Sequence, residues 1–183
     1  VGDHRAETAR LARERDVVAP ALRIAAAAQT PAAAAAACFS ADTDDLMRQV
    51  RSNTAMSQAA TIRLLDRGGV VIAAEDRVLC GRRLRSVVFR QKLDLAFDGK
   101  PQFLRPYPDL ELMHEDKDGT KRPLLWILAP VRSADGQAAS VLALGVSADR
   151  EFARLFSPAN VVGQVDAYAF GDDGLLLTPS RYG

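Results

Sequence analysis

The sequence predicts an α+β fold in which a helical first third leads into a five-stranded antiparallel sheet interrupted by one helix. Three observations carry this expectation. Helix formers fill the first 30 residues, and Leu11, Val18, Leu22 and Ala25 recur at spacings of seven, four and three, as one stripe of a long helix would. From residue 60 the texture changes to short apolar runs separated by glycine turns. Finally, the stretch IRLLDRGGVVIAAEDR at 62–77 returns as YAFGDDGLLLTPSRY at 168–182: apolar strand, glycine turn, apolar strand in both. Two copies of one hairpin imply two related modules, the second only begun. The expected division is a helical region at 1–58, a full module at 59–158 and the truncated start of another at 159–183.

Each element has a local cause. Thr30-Pro31 reads as an N-cap with proline at the first helical position, restarting a helix through the alanine run 32–37. Thr43 caps a further helix, with Asp44 and Asp45 in its first turn, where the helix dipole favours negative charge. Strands are expected at 60–66, 70–75, 101–107, 122–132 and 138–147, with tight turns at Arg67-Gly68-Gly69 and Asp135-Gly136. Between the second and third strands, 84–97 reads as a helix. Leu84, Val87, Val88 and Leu95 lie on one side and Phe89, Leu93 and Phe97 on the other, so cover is expected on both. Asp98-Gly99 and Pro101 end that helix. Asp149 caps a short helix at 150–156, and the passage to the second hairpin begins at Ser157-Pro158.

A chain of 183 residues, 48% of them hydrophobic, can fill one good core without metal or disulfide help. With 24 basic against 23 acidic residues it has no general attraction for nucleic acid or an anionic membrane. The run Arg77, Arg82, Arg83, Arg85, Arg90 lacks interleaved aromatics and reads as a solvated loop, not a nucleic-acid platform. No apolar run reaches the length of a membrane span, and the start at Val1 lacks a signal-peptide pattern, so the chain reads as a soluble piece of a longer protein. Cys38 and Cys80 lie in no metal-binding spacing. They read as buried small apolar residues, or as a disulfide pair if the domain works outside the cytoplasm. His4 and His114 sit in no zinc motif, Ser86 and Ser147 in no nucleophile elbow, and Arg67-Gly68-Gly69 joins strands and does not open a helix. No catalytic residue, metal site or cofactor is expected.

The segments IRLLDRGGVVIAA, Cys80-Gly81-Arg82-Arg83-Leu84, AFDGKP and ILAPVRSADGQAASVLALGVSADREF follow one another in an order that resembles the Cache sensor domains of bacterial receptors. The double form of that family matches the repeat, with VDAYAFGDDGLLLTPSRY as the opening of its membrane-proximal module. The resemblance implies a PAS-like α+β domain held outside the cytoplasm, in the periplasm, by flanking membrane helices absent from this sequence. Inside the cell it would join a histidine or Ser/Thr kinase, a cyclase or a chemotaxis signalling region. It also implies a small-molecule pocket between sheet and inserted helix, and a homodimer formed through the N-terminal helix. The stripe at Leu11 fits that dimer, or equally a helix packed on its own sheet.

In amino-acid-binding members an arginine, a Trp-Tyr pair and an alanine lie along the inserted helix, and an aspartate lies near the end of the last strand. On FRQKLDLAF, Arg90 and Ala96 match, Lys92 and Leu93 replace the aromatics, and the aspartate position falls near Gly145. That scheme of amino-acid binding is therefore not expected. Arg90 remains the leading ligand-binding candidate, as a cation for an anionic molecule, against a plain surface pair with Asp94. Tyr107 and Trp126 are candidate pocket walls, alternatively core residues, and Arg105 and Arg122 are candidate charges at its mouth, alternatively solvated. Two readings of function result: a ligand-gated sensor, or a non-catalytic dimerisation or protein-contact module whose interior is filled by its own side chains.

Overall fold

The computed structural model describes residues 2–52, 59–107, 109–115 and 119–147. The expected helix at 150–156, the boundary near 158 and the second hairpin lie outside the described residues.

The long N-terminal helix divides in two: α1 spans Gly2–Leu11 and α2 spans Arg15–Ala27. The break rotates the apolar face. Val17, Pro20, Ala21 and Ile24 are buried on α2, while Val18, Leu22 and Ala25 from the expected stripe flank that face half-buried. The face is used within the chain, because α2 packs on α4 and on the sheet. Helix α3 spans Pro31–Ala37, and the Thr30 hydroxyl accepts from the Ala33 amide at 3.1 Å as its N-cap. Helix α4 spans Ala41–Ser52 and turns Leu46, Met47 and Val50 inward.

Five strands run in the order β2-β1-β6-β5-β3, every neighbour antiparallel: β1 Thr61–Leu65, β2 Val71–Ala74, β3 Gln102–Leu104, β5 Lys121–Arg132 and β6 Ala138–Ser147. A sixth short strand, β4 (Met113–Glu115), which is not among the strands expected from sequence, pairs with the start of β5. The turn before β2 needs the positive φ of Gly69, 77°, and the β5–β6 turn that of Gly136, 83°. Pro130 is tolerated in the long strand β5 because β3 pairs only as far as Leu128, so no neighbour on that side asks for its missing amide.

The sheet separates two cores. On one face α1 to α4 cover Ile62, Leu64, Ile72, Leu142 and Leu144. On the other, helix α5 (Val87–Phe97) covers Leu65, Trp126, Leu128 and Val141 through Phe89, Leu93, Ala96 and Phe97. Helix α5 starts at Val87 because Ser86 caps it, and it is covered on one side only. Val87 and Leu95, expected to be enclosed, are exposed.

Cys38, which ends α3, forms a disulfide with Cys80. Of the two readings open for these cysteines, the structure takes the bonded one. Closing a loop between residues 42 apart in sequence restricts the unfolded chain by about 4 kcal/mol in the chain-entropy model.

Candidate functional site

Strand β1 lies between β2 and β6, and all five of its residues are buried. One of them is Arg63, only 4% exposed. Strand alternation puts Ile62 and Leu64 against the helical layer and Arg63 on the face of Leu65 and Trp126. Its cross-strand neighbours are Ala74 on β2 and Ala143 on β6, whose small side chains leave room for a guanidinium over the sheet. That group lies over the Trp126 indole, 4.6 Å from the ring centroid. The indole in turn meets Phe89 edge-on at 5.5 Å and donates from Nε1 to the Leu112 carbonyl at 3.0 Å.

Among the described residues, Arg63 makes one hydrogen bond, from Nη1 to the Glu111 carbonyl at 3.0 Å, and its buried Nε has no partner. Burial pushes its pKa down to about 10, partly opposed by the charges of Asp76 and Glu111. The group is still a cation at neutral pH. A buried cation is costly, and the carboxylates of Asp76 and Glu111 offset that cost only in part.

Arg63 lines a recess of about 1100 Å³. One wall is the segment from Glu75 to Leu84, which includes the 3-10 turn Arg77–Leu79, and the opposite wall is the 3-10 turn Leu110–Leu112 with β4. Four acidic groups line these walls, and each has a partner; Glu115 forms a loose, exposed pair with Lys121 at 3.9 Å. Glu75 receives the fork of Arg51 at 2.7 and 2.5 Å. Asp76 accepts from the Val78 amide at 3.1 Å. Glu111 accepts from the Arg85 and Ser86 amides at 2.6 and 2.9 Å, where α5 begins. By contrast, the side chains of Arg82, Arg83 and Arg85 at the rim make no hydrogen bond or ion pair among the described residues. The donors left over in this recess are thus cationic, suited to hold an anion by charge-assisted bonds.

None of the five residues singled out from sequence lines the recess. Arg90 lies against the Arg67–Gly69 turn, with Nη1 donating to the Arg67 carbonyl at 3.2 Å and Nη2 to Asp94 at 3.5 Å. Trp126 is fully buried and supports Arg63 from beneath. Tyr107 packs half-buried at the edge of the α5 core. Arg105 follows β3, and Arg122 is an exposed residue of β5 opposite His114. Gly145, near which the resemblance places an aspartate, lies where β6 passes Trp126. A Cβ there would stand 2.6 Å from Leu124 Cδ1 and 2.7 Å from Thr61 Cγ2. Among the described residues no group of three or more His, Cys, Asp or Glu could hold a metal ion, and no helix is long and apolar enough to cross a membrane.

The architecture is an α+β fold of PAS-like type. The chain is similar to the DcuS sensor domain of Escherichia coli, with 13% identity and a TM-score of 0.54 over 84% of this chain and 92% of that one. It is also similar to the sensory domain of the Campylobacter jejuni chemoreceptor Tlp3 solved with isoleucine bound, with 14% identity and a TM-score of 0.54 over 97% of this chain and 63% of that one. A third likeness is to a domain of a sensory box/GGDEF family protein of Vibrio parahaemolyticus, with 14% identity and a TM-score of 0.53 over 84% of this chain and 55% of that one. The chain spans about half, 48%, of the Vibrio cholerae DctB sensor domain. At these identities the likeness is one of fold, and it is the fold expected for a Cache domain. No protein-family model and no curated protein sequence matches the chain.

Proposed function

We propose that this domain is the extracytoplasmic ligand-sensing part of a bacterial signal-transduction receptor, and that it binds a small anionic molecule in the recess with an acid group on Arg63. The observation that carries the reading is Arg63 itself: 4% exposed, open to a recess of about 1100 Å³, with Nε unpartnered. An anion there would complete its hydrogen bonds and offset the cost of its burial. The fold shared with receptor sensor domains supports the role, and the disulfide suits an oxidising compartment. Bound ligand would act by favouring one of two arrangements of the domain, to the extent of its differential affinity for them. A second module beginning near residue 159, flanking membrane helices and a cytoplasmic output region complete the receptor in this reading. The space between α5 and the sheet is filled by Trp126, Phe89 and Leu93, yet the recess beside it stays open, which favours a sensor over a self-filled contact module.

A thermal-shift screen tests this. Small carboxylates and phosphate esters are compared with amines, sugars and purines, on the parent protein and on Arg63→Met. A ligand at 100 times its dissociation constant adds about 2.7 kcal/mol of stability. Stabilisation by an anionic class that vanishes in Arg63→Met supports the proposal. Equal stabilisation of both proteins, or none from any anion, refutes it.

A further inference from the structure

The recess wall that runs from Glu75 to Arg82 contains no long helix or strand, and it is fastened from outside. At its start the Arg51 fork of α4 grips Glu75. In its middle the Arg77 guanidinium reaches Asp44 of α4 at 2.6 Å and also donates to the Cys38 carbonyl. At its end Cys80 is bonded to Cys38. Gly81 then passes so close to α3 that a Cβ would stand 2.7 Å from the Pro31 carbonyl oxygen. Two of the three ties converge on residue 38. Opening the disulfide removes one of them and leaves the Arg77 bonds to the Cys38 carbonyl and Asp44, with the fork at Glu75, to hold the wall. Beyond Gly81, the chain pairs back onto the start of β2, Val71 N to Arg82 O at 2.9 Å, and leads directly to the rim arginines.

We infer that the Cys38–Cys80 bond sets the shape of the recess wall, so that the domain reads thiol–disulfide state as a second input to the site proposed above. The inference rests on the recess being the ligand site and names a regulation of it. Cys38 is fully buried and Cys80 half-buried, so Cys80 is the sulfur open to attack. A thiolate of a dithiol reductant attacks Cys80 Sγ; the Sγ–Sγ bond breaks, and its electron pair goes to Cys38 Sγ, which takes a proton. The reductant's second thiol then displaces Cys80 as a thiol, and the reductant leaves as its own cyclic disulfide. Two electrons and two protons have passed to the protein. By linkage, the factor by which reduction weakens anion binding is the factor by which a bound anion protects the disulfide.

Amide hydrogen exchange tests the wall without a ligand. Oxidised protein is compared with dithiothreitol-reduced protein, with Cys38→Ser/Cys80→Ser and with the less polar Cys38→Ala/Cys80→Ala. Exchange across 75–85 is expected to rise at least about tenfold more than that of the β5–β6 amides, whose own rise reports the global stability lost with the closed loop. Unchanged exchange in 75–85 overturns the inference, and so does an equal rise in β5–β6, which would make the bond a staple of the whole domain. In a second arm, acetate, succinate, citrate and inorganic phosphate are titrated into oxidised and reduced protein. Any that bind are expected to bind more weakly after reduction, and equal affinity overturns the inference. A loosened wall with no response to any anion upholds the redox effect on the wall and refutes the Arg63 reading instead.

Discussion

Arg63 lies across Trp126, guanidinium carbon 4.6 Å from the ring centroid, in a layer closed on one side by the sheet and on the other by α5 and the Leu110–Leu112 turn. The indole gives the cation an electron-rich surface but accepts no hydrogen bond from Nε. The energetics of this pair set the first prediction.

Arg63→Met keeps most of the side-chain volume and removes the buried charge. Replacing an only partly compensated buried ion with a hydrophobe is neutral or stabilising, so the unliganded variant should melt at or above the parent temperature. Its affinity for an anion should fall at least about tenfold, since a hydrogen bond to a charged group is worth about 1.5–3 kcal/mol. Calorimetric melting with and without ligand measures both effects, and a variant that melts lower yet keeps its anion response contradicts them.

The pH dependence has a definite sign. Burial lowers the Arg63 pKa to about 10, below that of an exposed arginine, so above about pH 10 the folded protein binds fewer protons than the unfolded chain. This group's contribution to stability therefore rises with pH above about 10 and is a constant cost below it. Arg63 stays charged throughout the neutral range, and anion affinity should be flat from about pH 6 to 9 for an acid already ionised there. Isothermal titration across that range checks this, and a fall within it would assign the anion to another group.

Trp126→Phe retains a ring beneath Arg63 but leaves the Leu112 carbonyl without its donor, the indole Nε1 at 3.0 Å. An unsatisfied buried acceptor costs about 1–3 kcal/mol. Urea unfolding should show a lower midpoint with an unchanged slope.

Gly145→Ala should destabilise by about 1–3 kcal/mol, because the added methyl meets Leu124 and Thr61 at less than normal contact distance. Gly145→Asp should cost more, since it adds a carboxylate beside the indole. An aspartate introduced there to create an amine site is therefore expected to lower the melting temperature without conferring amino-acid binding, which thermal shift with an amino-acid panel would reveal.

The sheet is legible in the sequence because its strands are bounded by glycine turns and its long strands β5 and β6 are nearly continuous apolar runs. Strand β4 is not, since Met113–Glu115 has neither apolar alternation nor β-branched residues, and only its pairing to β5 makes it a strand. The apolar pattern places helix α5, but its two-sided character suggests a cover that Val87 and Leu95 do not have. The site is harder to read. Arg90 is singled out because it matches the arginine that the resemblance places on the inserted helix, while Arg63 lies inside what reads as an ordinary apolar strand. A signal exists all the same: an arginine in the middle of the otherwise uncharged run Thr61–Leu65 is a charge where burial is expected, and charges are rarely buried without a partner.

The alanine tract at 32–37 has its own consequence. Compositionally anonymous, it is a seat cut to fit: Ala34 and Ala37 are buried, and Ala35 lies under Gly81, its methyl 3.1 Å from where a Cβ would be. Exposed Ala32 and Ala36 are free to drift among helix-forming residues over evolutionary time. A larger residue at position 35 would lift the Gly81 backbone off its perch and tilt the neighbouring arginines, so a stretch that looks like filler acts as a gauge for the spacing of the charges above it.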